Sequence, residues 1–250
     1  MDETIGRLLA VGNVAEVFEW GSRVLKLYKS TVAKPAAFRE AAIQAATEAM
    51  ALPVPRVWSV QEIEGRWGVV FDRVGQASFA EQMSSNSDEV SRYLERMVRM
   101  HMAVHTHRAV QFADLKVRLA SNIAAAALLD ERRKQDLLGR IADMPDGDRL
   151  CHGDFHPLNI LGDASEPVII DWPDARRGDP AADVCRSYLL MKLHWAEIAK
   201  TYLDAYCQAA GMARQAVLSW LPYVAAARLA EEVPSDFDGL LKIVESPSLI

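Results

Sequence analysis

Two different periodicities divide this chain near residue 75, and no single layer of secondary structure accommodates both. Ahead of that point, apolar residues come in short, β-branched or aromatic runs: Val17-Phe18-Glu19-Trp20, Val24-Leu25-Lys26-Leu27-Tyr28, Val57-Trp58-Ser59-Val60 and Gly68-Val69-Val70-Phe71. Turn formers such as Trp20-Gly21-Ser22 and Glu64-Gly65 separate them. One Ala-rich stretch, Ala36 to Met50, has helical propensity and must stop before Pro53 and Pro55. Beyond Gly75 the apolar spacing becomes helical: Asp88 to His107 and Leu115 to Ile141 repeat at about 3.6 residues. Met144-Pro145-Asp146-Gly147 is a clear stop. A second β island follows, with Ile160-Leu161, a turn at Gly162-Asp163, and Val168-Ile169-Ile170. Helices then resume after Asp179-Pro180 and run to about Glu232, before an irregular tail.

The expected architecture is α+β in two lobes. Residues 1–75 form a small antiparallel sheet lobe with one helix, ending in a connector at Phe71–Gly75. Residues 76–250 form a larger, mainly helical lobe carrying a hairpin. A cleft between two such lobes is a favoured place for a small ligand.

Half of the 250 residues are apolar and a quarter are charged, an ordinary globular balance. The net charge of −6 argues against gripping nucleic acid or an anionic membrane through bulk charge. No run of about 18 uncharged apolar residues is present. Met1-Asp2-Glu3 has none of the basic start of a secretory signal, so a cytoplasmic setting is expected. Cys151, Cys185 and Cys207 are odd in number and far apart, which fits neither a disulfide framework nor a CxxC metal site.

The densest polar cluster is His152-Gly153-Asp154-Phe155-His156-Pro157-Leu158-Asn159, followed by Ile169-Ile170-Asp171-Trp172. Asp154 and Asn159 sit in a loop entering a strand, and Asp171 ends the strand that returns. A short hairpin brings its entry and exit together, so the three oxygen donors are expected to converge. Carboxylate and amide oxygens are hard ligands suited to Mg²⁺.

His152-Gly153-Asp154, Asn159 and Asp171 resemble the catalytic and metal-binding loops of the aminoglycoside phosphotransferase and choline kinase group, relatives of protein kinases. The resemblance extends to Gly12-Asn13-Val14-Ala15-Glu16-Val17-Phe18 as a phosphate-covering loop, to Val24-Leu25-Lys26-Leu27 as the lysine strand, and to Arg39-Glu40-Ala41 as the start of its partner helix. Leu52-Pro53-Val54-Pro55-Arg56-Val57 and Gly178-Asp179-Pro180-Ala181-Ala182-Asp183-Val184 match further stretches. It implies a two-lobe, protein-kinase-like fold and transfer of a phosphoryl group to a hydroxyl of a small molecule. Candidate acceptors are an aminoglycoside or other antibiotic, an amino sugar and an amino alcohol.

The same resemblance implies that Lys26 holds the α- and β-phosphates of a nucleoside triphosphate (ATP, with GTP left open) and pairs with Glu40. Gly12 and Asn13 would cover the phosphates, and the backbone of Phe71, Asp72 and Val74 would meet the base. Asp154 would orient the acceptor hydroxyl and take its proton, while Asn159 and Asp171 would bind magnesium. The chain departs from the kinase pattern in one place: its phosphate loop has the single glycine Gly12 and no GxGxxG.

Other readings of these residues compete. Lys26 shares a strand face with Val24 and Tyr28, where an isolated lysine would be a solvated edge residue. Glu48 rivals Glu40 for the pairing role. His152, Asp154 and His156 alternate as zinc ligands of a hydrolase would, although that leaves Asn159 and Lys26 unexplained. A nucleotide-binding regulatory protein without catalysis would be expected to lack one of Lys26, Asp154, Asn159 or Asp171, and all four are present. His101 and His105, at i and i+4, read as part of a packed helix, since no carboxylate or cysteine nearby completes a metal set. Asp179 is expected to cap the helix at Pro180, and Asp183 to brace the catalytic loop.

Overall fold

The computed structural model describes residues 4–75 and 77–245. In chain order it contains β1 (Leu8–Val11), β2 (Ala15–Trp20), β3 (Arg23–Tyr28), α1 (Lys34–Glu48), β4 (Val57–Ile63), β5 (Arg66–Asp72), α2 (Phe79–Ser85), α3 (Val90–Thr106), α4 (Leu115–Ala125) and α5 (Glu131–Ile141). There follow β6 (Arg149–Cys151), β7 (Ile160–Leu161), β8 (Val168–Ile169), β9 (Arg176–Gly178), α6 (Pro180–His194), α7 (Ala196–Ala210), α8 (Arg214–Leu218), α9 (Leu221–Leu229) and α10 (Phe237–Glu245). The chain divides into two units. The first is the chain through Asn86 together with Pro157–Pro173; the second is Ser87–His156 together with the chain from Asp174 onward.

The first unit is built on an antiparallel sheet in the order β1-β2-β3-β5-β4. Period-2 alternation sorts its residues onto two faces. Val24 and Tyr28 join Ala15, Val69 and Phe71 in a cluster that includes Ala37 of α1, whereas Leu25 and Leu27 pack with Trp20 and Val70 on the opposite face. Lys26 therefore sits on the face that α1 covers. The buried positions of α1 are Ala37, Glu40, Gln44 and Thr47, a helical spacing that is mostly polar. Burial of those polar groups is tolerable because each has a partner: Gln44 Nε2 donates to the Pro55 carbonyl at 2.5 Å, and Thr47 Oγ1 donates to the Gln44 carbonyl at 2.8 Å. The β7–β8 hairpin belongs to the same unit, tied to it by Ile169 N–H donating to Pro53 O at 2.7 Å and Gly162 N–H to Ala77 O at 2.9 Å.

In the second unit, α3 buries Tyr93, Leu94, Met97, Val98, His101, Val104 and His105 along one stripe. α6 is buried on nearly every side, from Ala181 through Met191. β6 and β9 form a two-stranded antiparallel ladder. No helix among the described residues is long and apolar enough to cross a membrane.

Beyond α2, β6 and β9, which the sequence reading did not name, three features depart from it. The helical run at Leu115–Ile141 is two helices, because Ala126 is extended (φ −64°, ψ 101°) and Asp130 starts the second by accepting from Arg133 N–H. The chain after Glu232 is not an irregular tail: residues 237–245 form α10, whose Leu240, Ile243 and Val244 are buried. β1 was not anticipated, since all four of its residues are exposed and show no alternation. It is held at the sheet edge by pairing with β2.

Candidate active site

The chemistry-bearing residues fall in both units. In the first, the β3 ladder turns Lys26 toward α1, where its Nζ lies 2.8 Å from Glu40 Oε1; the Glu40 side chain is 3% exposed. Tyr28, on the same face, donates its hydroxyl proton to the other Glu40 oxygen. Lys26 Nζ also lies 2.7 Å from Asp171 Oδ1. Burial by itself lowers the pKa of this amine, but the two carboxylates outweigh it and hold Lys26 charged, with its pKa raised. The competition between Glu40 and Glu48 is settled by geometry: Glu48 Oε1 instead accepts from the Val57 backbone N–H at 2.6 Å.

Asp171 adopts φ +65°. A non-glycine residue in this left-handed region carries about 1 kcal/mol of backbone strain, and such strain gathers at functional sites. Its side chain remains 40% exposed while bridging to Lys26. Asn159 ends a single 3-10 turn (Pro157–Asn159), is 8% exposed, and accepts through its backbone carbonyl from Ile170 N–H at 3.0 Å. Strand pairing of Ile160 with Ile169 thus keeps Asn159 and Asp171 on one hairpin. An amide and a half-exposed carboxylate are the hard oxygen donors a magnesium ion takes, so this donor set fits the ion.

Gly12 and Asn13 lie in the turn between β1 and β2. Gly12 N–H donates to Ala15 O at 2.8 Å, and Lys29 Nζ donates to Asn13 O at 2.8 Å. Phe71 and Asp72 close β5. Phe71 pairs with Val24 on one side and Val57 on the other, and Asp72 N–H donates to Arg56 O at 2.9 Å. Both residues are thus part of the sheet, whereas Val74 lies outside it, with Arg73 and Gly75.

In the second unit, Asp154 follows Gly153, which adopts φ +83°; a Cβ there would meet Asp174 O at 2.5 Å, so only glycine fits. The Asp154 N–H donates to His152 Nδ1 at 3.2 Å, and His152 is fully buried. His152 therefore steadies the loop. The Asp154 carboxylate lies 3.3 Å from His156 Nε2 and 3.6 Å from Arg186 Nη2. Burial raises its pKa, but His156, Arg186 and His152 more than offset that and hold it well below the usual carboxylate range.

Behind this loop stands Asp183. Its carboxylate accepts from the backbone N–H groups of His152 (2.6 Å) and Gly153 (2.8 Å), and lies against His101 Nε2 (2.9 Å) and His105 Nε2 (3.1 Å). An ionised carboxylate only accepts, so both imidazoles donate from Nε2; the Nδ1 of His101 then accepts from the Tyr202 hydroxyl at 2.6 Å, and His105 Nδ1 lies 2.6 Å from the Tyr206 hydroxyl. Buried among other rings and next to His105, His101 has its pKa lowered to about 3 and stays neutral. Asp183, ringed by donors, stays ionised despite complete burial. Asp179 does cap α6, accepting from Ala181 N–H at 3.0 Å.

Among the described residues, the one group of three histidine, cysteine, aspartate or glutamate side chains whose ligand atoms gather closely enough for a metal is His101, His105 and Asp183. His152, Asp154 and His156 do not form such a set. Each atom of the buried trio already has a hydrogen-bonding partner, so the trio serves as a brace. The sequence reading found no carboxylate for these histidines because it comes from a helix some eighty residues later. Arg186 was also missed. Its position three residues beyond Asp183 on α6, and hence on the same helix face, was the available signal.

Residues 16–218 match the profile of the phosphotransferase enzyme family. No curated protein matches the sequence. Solved structures similar to this chain include a thermostable mutant of aminoglycoside phosphotransferase APH(4)-Ia in ternary complex with AMP-PNP and hygromycin B (TM-score 0.70, 16% identity, covering 97% of this chain and 90% of that one). Also similar are ADP-bound aminoglycoside phosphotransferase APH(2'')-Ib (0.65, 17%, 98% and 95%) and APH(3'')-Id from Streptomyces rimosus in complex with ADP and streptomycin (0.60, 18%, 85% and 90%). At these identities the likeness establishes the fold, two lobes of the protein-kinase kind. The match over residues 16–218, on that fold, places this chain in the phosphotransferase enzyme family.

Proposed function

We propose that this phosphotransferase moves the γ-phosphoryl group of ATP to a hydroxyl of a small molecule, with Mg²⁺ bound by Asn159 and Asp171. The observation that carries the reading is the Lys26 ammonium held 2.8 Å from Glu40 and 2.7 Å from Asp171. A permanently charged amine fixed by a buried glutamate, beside an exposed carboxylate, suits a polyphosphate and its counter-ion. That similar structures hold AMP-PNP or ADP supports the same nucleotide class.

In this reading Lys26 pairs with the α- and β-phosphates, and Glu40 keeps the amine in place. The β1–β2 turn at Gly12 and Asn13 covers the phosphates. The connector at Phe71, Asp72 and Val74 meets the base through its backbone groups, apart from the Asp72 N–H, which donates to Arg56 O. When bound, magnesium neutralises charge on the phosphates and helps align them.

Asp154 accepts a hydrogen bond from the acceptor hydroxyl. Because His156 and Arg186 make it a weak base, it orients that hydroxyl first and receives the proton only as the new O–P bond forms. Phosphoryl transfer through a loose transition state asks for little more than such positioning and charge.

The test is calorimetric binding of Mg·ATP followed by ATP consumption over a panel of sugars, amino sugars, amino alcohols and antibiotics. Lys26→Ala is expected to weaken Mg·ATP binding by roughly tenfold or more, as loss of one charge-assisted contact would. Binding of Mg·ATP with no turnover against any acceptor would favour a nucleotide-binding regulatory protein. Stoichiometric zinc, with activity that needs no nucleotide, would favour a hydrolase.

A further inference from the structure

Arg186 of α6 stands between two carboxylates of the second unit. Its Nη2 lies 2.8 Å from Glu231 Oε2 and 3.6 Å from Asp154 Oδ1. The first is a charge-assisted hydrogen bond; the second is an ion pair too long for one. Arg186 Nε donates to the Gly153 carbonyl at 3.2 Å, which ties the guanidinium to the loop that carries Asp154. Burial by itself would lower the pKa of this group, but Glu231, Asp154 and Asp174 raise it, so the cation persists at 11% side-chain exposure.

What draws Arg186 toward Glu231 lies further from Asp154. Glu231 follows α9 and precedes Glu232, whose φ of +53° is a costly conformation for a residue with a side chain. Arg228 Nη1 clamps the same Glu231 oxygen that Arg186 meets. Arg228 is held in turn by Asp236, whose Oδ2 accepts from its Nε at 3.0 Å and its Nη2 at 2.8 Å. The Asp236 side chain is fully buried; its other oxygen accepts from Ser235 Oγ at 3.2 Å and lies 3.5 Å from His194 Nε2. The charges thus alternate along one row: Asp154, Arg186, Glu231, Arg228, Asp236. The remaining acids near Arg186 have other partners, Asp174 at 3.5 Å from Arg118 and Asp183 with its four N–H donors. Asp154 itself is also faced by His156, 3.3 Å from Oδ2, and by His152.

Without the charge on Glu231, Nη2 would close on Asp154 and take a position at its carboxylate that the acceptor hydroxyl needs. We propose that Arg186 and Glu231 are positioning residues for Asp154: Arg186 sets a positive charge across a gap from its carboxylate, and Glu231, anchored through Arg228 to Asp236, holds Arg186 at that gap. This deepens the phosphotransferase reading and rests on it.

The test is a carbon-13 NMR titration of the full chain, labelled at its aspartate carboxyl carbons and free of nucleotide, with the Asp154 signal assigned by its loss in Asp154→Asn. Arg186→Met is expected to raise the pH at which Asp154 begins to protonate by at least about one unit, the effect of losing a nearby opposite charge. Arg186→Lys, which keeps a cation, should shift it by less than half as much. Glu231→Gln should leave that pH unchanged or lower it, because an anion departs and the guanidinium draws closer. The same variant should nevertheless slow Mg·ATP consumption, with water as the acceptor, by about tenfold, while Mg·ATP affinity stays within about twofold.

The proposal is overturned if Asp154 titrates alike in the native chain and Arg186→Met, or if Arg186→Lys shifts it as far as Arg186→Met does. It is equally overturned if Glu231→Gln raises the Asp154 titration or consumes ATP at the native rate, and these two readouts decide alone should Arg186→Met not fold. Because the titrations contain no nucleotide, the expected shifts beside a native chain that binds no Mg·ATP would contradict the phosphotransferase reading and not the placement of Arg186.

Discussion

Two carboxylates, Asp171 in the first unit and Asp183 in the second, illustrate opposite uses of one functional group. Asp183 is fully buried, and all of its accepting capacity goes to N–H groups of its own chain, two from the loop before Asp154 and two from histidines. Asp171 is 40% exposed, sits on a strained backbone, and touches a lysine amine that a buried glutamate already fixes. A saturated, buried carboxylate can do nothing further for a ligand and holds the scaffold. An exposed one with capacity left over is where chemistry can happen. The difference between them is one of unspent hydrogen-bonding valence.

The comparison can be broken from either side. The largest effect is expected at Asp171→Ala, which removes a hard oxygen donor and should lower Mg²⁺-dependent ATP turnover on the order of 10³-fold with little change in melting temperature. Unchanged turnover would contradict the role given to Asp171. Asp183→Ala should do the reverse. It strands four donors and is expected to cost about 3 kcal/mol of stability, read as a lower urea midpoint, with activity falling only as far as the loop loosens. A variant as stable as the native chain would show that the brace is not one.

The third effect is graded. His101 has its pKa lowered to about 3 in the folded chain, against the ordinary value near 6.5 once unfolded. Between those values the unfolded chain binds the extra proton and the folded chain does not. This contribution to stability is therefore complete above about pH 6.5 and declines as the pH falls below it, by about 1.4 kcal/mol per unit. His101→Gln should flatten that part of a stability-versus-pH curve; a curve of the same slope would contradict the assignment.

How much of this was legible in the sequence depends on the range of the interactions involved. Strands β2 to β5 and helix α1 announce themselves through local alternation, turn residues and prolines, and Lys26 could be placed on its strand face by alternation alone. The oxygen donors Asp154, Asn159 and Asp171 stood out because their spacing is short. What escaped was decided by distant partners. β1 has no buried face and exists by pairing along an edge. The break between α4 and α5 depends on a cap at Asp130 that a periodicity reading runs through. The histidine pair lacked a carboxylate until α6 brought Asp183 across, and Arg186 acquired meaning only beside the Gly153 carbonyl and Asp154. Both contacts join residues about thirty to eighty positions apart, and the one local pointer was the place of Arg186 three residues after Asp183.

The most direct test of the central claim, that a fixed lysine–carboxylate cluster and Asp154 serve phosphoryl transfer, is the steady-state ATP-consumption rate of Asp154→Asn beside the native chain, with Mg·ATP affinity measured on both. The account predicts that the substitution lowers kcat by about 10²-fold or more while nucleotide affinity stays within about twofold, since only the group that orients the hydroxyl is lost. Equal rates for the two proteins, or a native chain that binds no Mg·ATP at all, would contradict it.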